Sequence, residues 1–189
     1  MPNLNETLEE FIKVFEALQI PYAIMGGFAV RVYAIPRPTY DVDFTIAIDR
    51  QRLPELYDAL EAEGFTVAEE FRRGWIDSIA GMPLIKSRLY FQEGEGIDVD
   101  VFLAESEFQK ELLSRRRRDR LDDLTVCFVT AEDLILLKLI AHRPRDIADV
   151  TDILFTQGQL DVDYMRHWAE QLHVADSLER VLEAAAENE

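Results

Sequence analysis

Two stretches decide the reading of this chain: Ile24-Met25-Gly26-Gly27 and Arg37-Pro38-Thr39-Tyr40-Asp41-Val42-Asp43-Phe44. The first reads as a short strand running into a tight glycine turn. The second reads as a strand carrying two carboxylates. Strand side chains alternate faces, so Asp41 and Asp43 point one way while Val42 and Phe44 point into a core. Two adjacent carboxylates repel by about 4 kcal/mol at ~4 Å and an effective dielectric of ~20. A sheet that keeps such a pair calls for a cation. Hard divalent ions such as Mg2+ take oxygen ligands, often one or two carboxylates plus phosphate oxygens.

A second acidic strand follows at Gly96-Ile97-Asp98-Val99-Asp100-Val101-Phe102-Leu103, where Asp98 and Asp100 again share a face. A glycine turn, an acid-x-acid strand and a later acid among apolar residues together resemble the nucleotidyltransferase superfamily of the DNA polymerase β type. A spacer of 13 residues between Gly27 and Asp41 lies at the long end of that pattern. A finer resemblance is to small bacterial nucleotidyltransferases of the abortive-infection toxin type. It rests on Gly26-Gly27-Phe28-Ala29, Arg37 to Asp43, Val99 to Ala104, Glu132 to Leu139 and Arg143 to Val150, in that order.

The resemblance implies an α+β fold: a polymerase β-like nucleotidyltransferase core of mixed sheet and flanking helices, residues 1–129. A helical C-terminal part, residues 130–189, packs on it. It implies transfer of a nucleoside monophosphate from an NTP, ATP among the candidates, to an acceptor hydroxyl, with Mg2+, two ions in the fullest form. Asp41 and Asp43 would supply two metal ligands. Asp100, in register with the family segment, would be the third and the general base. Gly26 and Gly27 would offer backbone N–H groups and a helix N-terminus to the triphosphate. The toxin-type acceptor is tRNA or protein, with an antitoxin as a possible partner. A drug-modifying member would take a small molecule, and a catalytically silent member would act only by binding.

Other residues leave two readings open. Arg37, with Thr39 on the approach to the acidic strand, contacts phosphate or lies on the surface. Lys138, inside the apolar run Leu134–Ile140, contacts phosphate across a groove, or pairs with Asp146 or Asp149. Asp146 and Asp149, three apart on one helix face, fit ion pairs to Arg143, Arg145 or Lys138 better than a metal. Arg115 to Arg118 is the only basic block. It reads as a solvated helix end, or as a contact for RNA or an acidic partner.

Composition sets the outer bounds. With 189 residues and 48% hydrophobic content, the chain is expected to make one domain, or one domain with a small appendage, around an ordinary core. A net charge of −17 argues against a broad nucleic-acid binder without excluding a local basic channel. The single cysteine, Cys127, allows no intrachain disulfide and suits a cytoplasmic setting. No segment has the length or apolarity of a signal peptide or membrane span. His142, His167 and His173 lack metal-ligand spacing.

Periodicity places helices at Leu4–Leu18 (capped by Asn3 with Glu6), Phe28–Ala34, Leu53–Glu63, Glu105–Arg118, Arg145–Phe155, Asp163–Leu172 and Asp176–Ala186. Thr130 with Asp133 is expected to form a capping box for a helix after it. Strands are expected at Pro21–Met25, Asp41–Ile48, Phe65–Val67, Pro83–Phe91, Ile97–Leu103 and Leu124–Val129.

Overall fold

The computed structural model describes residues 4–67, 69–72, 75–76, 83–92, 95–121 and 124–187. Asn3, and with it the expected first cap, lies outside them. The chain opens with α1 (Leu4–Ala17), then β1 (Tyr22–Met25), which passes directly into α2 (Gly26–Tyr33). β2 (Asp41–Ile46), α3 (Leu53–Ala62), β3 (Phe65–Val67), α4 (Glu69–Arg72), β4 (Trp75–Ile76), β5 (Pro83–Gln92) and β6 (Glu95–Leu103) follow. Then come α5 (Glu107–Arg115), β7 (Arg117–Leu121) and β8 (Leu124–Phe128). All described elements after β8 are helical: α6 (Ala131–Ala141), α7 (Pro144–Thr156), α8 (Val162–Gln171) and α9 (Ala175–Ala186).

The strands form one mixed sheet in the order β3-β5-β6-β2-β1-β8-β7, with β4 paired to β5. β2 is antiparallel to β1 and parallel to β6, and β1 is parallel to β8. The two acidic strands are therefore neighbours, Asp41 opposite Asp98 and Asp43 opposite Asp100.

The alternation of β2 sorts the two faces. Val42, Phe44 and Ile46 are fully buried. Phe44 stacks on Phe11 at 5.6 Å between ring centroids and meets Phe15 edge-on at 5.1 Å, so α1 covers this face. Each such aromatic pair adds roughly 0.5–1.5 kcal/mol beyond its burial. α1 presents this side because Leu8, Phe11, Ile12 and Phe15 recur at helical spacing. Asp41 and Asp43 occupy the other face of β2.

Two expectations are corrected. The helix placed at Glu105–Arg118 stops at Arg115, and Arg117 and Arg118 belong to β7, an edge strand unseen in the sequence reading. Four of its five residues are exposed, so no apolar alternation marks it. Charge on an edge strand is how sheets avoid further pairing. Arg115 itself is no solvated end. Its guanidinium lies 3.6 Å from the Tyr164 ring centroid and 3.7 Å from both Glu132 and Asp133.

The cap of α6 is also half of what was expected. The Thr130 hydroxyl accepts from the Asp133 N–H at 3.3 Å and donates to the Asp133 carboxylate at 2.8 Å. That carboxylate does not return to the Thr130 backbone. Its other oxygen accepts from the Tyr164 hydroxyl at 2.5 Å, tying α6 to α8.

Candidate active site

A cleft of about 210 Å3 opens between the carboxylate end of β2 and the α6–α7 corner. It is lined by Gly26, Gly27, Arg37, Thr39, Asp41, Asp43, Lys138, Arg143, Arg145 and Asp146. Seven of the eight residues singled out in the sequence are among them. Asp100 is not; it stands half-buried beside Asp43 on β6.

The glycines hold the carboxylates in place. Gly26 has φ +62°, in the left-handed region. A Cβ there would come 2.7 Å from Cγ of Asp43. A Cβ on Gly27 would come 2.8 Å from Cβ of Thr39. Asp43 and Thr39 thus fill the space that side chains at these positions would take. Thr39 in turn donates to Asp41 at 2.8 Å. The start of α2 has no side-chain cap, which leaves its first-turn N–H groups open to an anion.

The carboxylates strain one another electrostatically. Burial first, then the charges of Asp41 and Asp100, push the Asp43 carboxyl up to about 7. Lys138 and Arg143 pull it the other way without prevailing. An all-carboxylate donor set with this excess of negative charge fits a hard divalent cation. Among the described residues, no three His, Cys, Asp or Glu side chains are gathered closely enough to hold a metal by themselves.

Opposite lies a buried ion network. Lys138 is 4% exposed, and its Nζ sits 2.5 Å from Asp149 and 3.2 Å from Asp146. Arg37 grips Asp149 with two hydrogen bonds of 2.7 Å. Arg143 donates to Asp146 at 2.6 and 3.3 Å. Burial works to raise both carboxyls, but Arg143 and Lys138 at Asp146, and Arg37 and Lys138 at Asp149, hold them below the usual range. Lys138 therefore lines the cleft and pairs with both acids. Arg37 is a strut from the α2–β2 connection to α7.

Arg145 differs from these three. It is exposed at the cleft and has no ion pair among the described residues. Sequence reasoning weighed it only as a partner for Asp146 or Asp149. Spacing gave no signal: Arg145 and Asp149 stand four apart on α7, which would permit a pair, and only the tertiary fold gives Asp149 to Arg37 and Lys138 instead.

A mixed sheet with an acid-x-acid strand beside a glycine-started helix is the α+β arrangement expected from the sequence. The chain belongs to the family described as "Nucleotidyltransferase of unknown function (DUF6036)", whose model matches residues 2–185. No curated protein matches it. Among solved structures it is similar to an antigenic nucleotidyltransferase-like protein from Paracoccidioides brasiliensis, with 22% identity, TM-score 0.55, and coverage of 94% of this chain and 91% of that one. It is also similar to ANT(2'')-Ia in complex with adenylyl-2''-tobramycin, with 16% identity, TM-score 0.61, and coverage of 88% and 97%. The lincosamide antibiotic adenylyltransferase LnuA, bound to lincomycin, follows with 15% identity, TM-score 0.54, and coverage of 83% and 100%. At these identities the likeness is one of fold.

Proposed function

We propose that the protein is a Mg2+-dependent nucleotidyltransferase that moves a nucleoside monophosphate from an NTP to an acceptor hydroxyl, in the toxin-like manner with tRNA or protein as acceptor. The observation that carries this is the cleft that sets Asp41 and Asp43, with Asp100 in register beside Asp43, against the Gly26-Gly27 turn and an arginine, Arg145, that has no ion pair among the described residues. Asp41 and Asp43 would hold the metal, with Asp100 beside them. Once bound there, the metal would supply charge neutralisation and activation at the phosphates. The open N–H groups at Gly26 and Gly27 and the Arg145 guanidinium meet the triphosphate. The acceptor oxygen bonds to the α-phosphorus as the bond from that phosphorus to its bridging oxygen breaks and pyrophosphate leaves. Asp100 takes the acceptor proton.

A small cationic acceptor is the second reading. Its support is the net charge of −17 and the fold shared along 97% of the ANT(2'')-Ia chain. Incubation with each α-labelled NTP and Mg2+ tests both: with the protein alone, with total tRNA and with tobramycin. Label on RNA or protein supports the first reading, and label on the drug the second. No label anywhere, with wild type and Asp43→Asn indistinguishable, refutes both.

A further inference from the structure

The arginine run has a place in the sheet that the sequence concealed. Arg117 of β7 pairs with Phe128 of β8, Phe128 with Ile24 of β1, and Ile24 with Phe44 of β2. Arg117 is thus level with the residue next to Asp43, three strand spacings away, about 14 Å across the sheet. Among the described residues, no strand pairs with the outer side of β7. Arg117 and Arg118 are exposed, sit on opposite faces of that edge, and have no ion pair among the described residues. Their charges reach Tyr33 on one side and Tyr22 on the other. Arg116 is exposed too and donates to the Leu113 carbonyl at 2.6 Å. The strand's one carboxylate is Asp119. Arg120 stands further along the strand beside Asp119, and Arg117 and Arg118 are the end level with the cleft.

We propose that Arg116, Arg117 and Arg118 form the docking rail for an RNA acceptor. Its phosphates lie along the sheet edge while its terminal hydroxyl reaches the carboxylate cleft. This rests on the transfer reading above and narrows the acceptor to RNA. With a net charge of −17 the chain as a whole repels phosphate, so a local run of arginines would make the approach of RNA selective. Arginine suits the task through its planar fork of donors. The bland alternative is that charge only protects the strand edge from pairing, for which either sign of charge serves.

The double variant Arg117→Glu/Arg118→Glu separates the two, since it keeps the edge charged while reversing its sign. Binding of a fluorescein-labelled single-stranded RNA with a free 3′ hydroxyl is followed by anisotropy between about 50 and 200 mM salt. Wild type is expected to bind, and the variant at least about tenfold more weakly. The slope of log affinity against log salt should fall by about 1.4, two contacts at about 0.7 each for a single strand. Thermal unfolding checks the fold; if the variant unfolds, Arg117→Gln/Arg118→Gln takes its place. Equal RNA affinity in wild type and variant overturns the rail. So does a wild type that binds no RNA, or one from which polyglutamate displaces RNA at equal charge concentration. ATP–Mg2+ binding by the wild type is measured separately. RNA binding through the arginines without any ATP binding keeps the rail and refutes the transfer; ATP binding and drug labelling without RNA binding do the reverse.

Discussion

At the scale of single residues, Asp43 and Lys138 carry opposite liabilities. The Asp43 carboxyl stands near 7 in the fold and near 4 in the unfolded chain. Between those values the native state holds the extra proton, so this group's contribution to stability falls as pH rises from about 4 to about 7. Asp43→Asn should therefore flatten the loss across that window and raise the unfolding midpoint of the EDTA-treated protein at pH 8, while abolishing transfer. Thermal denaturation across pH checks the first part. A variant no more stable than wild type at pH 8 would contradict it. Lys138 works the other way, because it neutralises two nearly inaccessible carboxylates. Lys138→Met should cost about 3–5 kcal/mol in denaturant unfolding, the range for a broken buried pair. Arg145→Gln, at an exposed position, should stay within about 0.5 kcal/mol of wild-type stability. Isothermal titration should nevertheless find its NTP affinity reduced by about 1.5–3 kcal/mol. The two cations of one cleft are thus separable, one by stability and one by binding.

At the scale of elements, the junction of β1 with α2 is built around two absent side chains. Thr39 occupies the space beside Gly27 and also holds Asp41. Gly27→Ala should destabilise the protein, and Thr39→Ala introduced with it should recover part of the loss, giving a coupling of roughly 0.5–3 kcal/mol in a double-mutant cycle. Additive effects would mean that the two residues do not share this space. Gly26→Ala should lose about 1–2 kcal/mol from the left-handed backbone alone. No companion substitution at Thr39 should rescue it, because its Cβ meets Asp43 instead.

At the scale of the whole molecule, the cleft is walled by the sheet on one side and by α6 and α7 on the other. A nucleotide held by both walls binds only the assembled fold, so it adds stability by mass action, about 2.7 kcal/mol at a hundred times its dissociation constant. ATP with Mg2+ should raise the thermal midpoint in a concentration-dependent way, and EDTA should remove most of the rise. An equal rise with EDTA present would separate nucleotide binding from the metal.

The local order of the chain was enough for much of this. Val42 and Phe44 against Asp41 and Asp43 sorted the faces of β2, because period-two alternation is a property of the backbone. Leu8, Phe11 and Phe15 announced α1, and the glycine pair ahead of Asp41 pointed to the cleft. Sequence could not say which strand lies beside which. Parallel pairing of β2 with β6 set Asp100 next to Asp43, and the row from Phe44 to Arg117 turned a supposed helix end into a basic sheet edge. Nor could it apportion charge. Arg37, Lys138, Arg143 and Arg145 look alike along the chain, yet three are spent on Asp146 and Asp149 and one stands free among the described residues. The physical reason is range: alternation and helical period are set within a few residues. Ion pairing depends on which side chains come within about 4 Å in space, and Arg37 meets Asp149 across 112 positions of sequence.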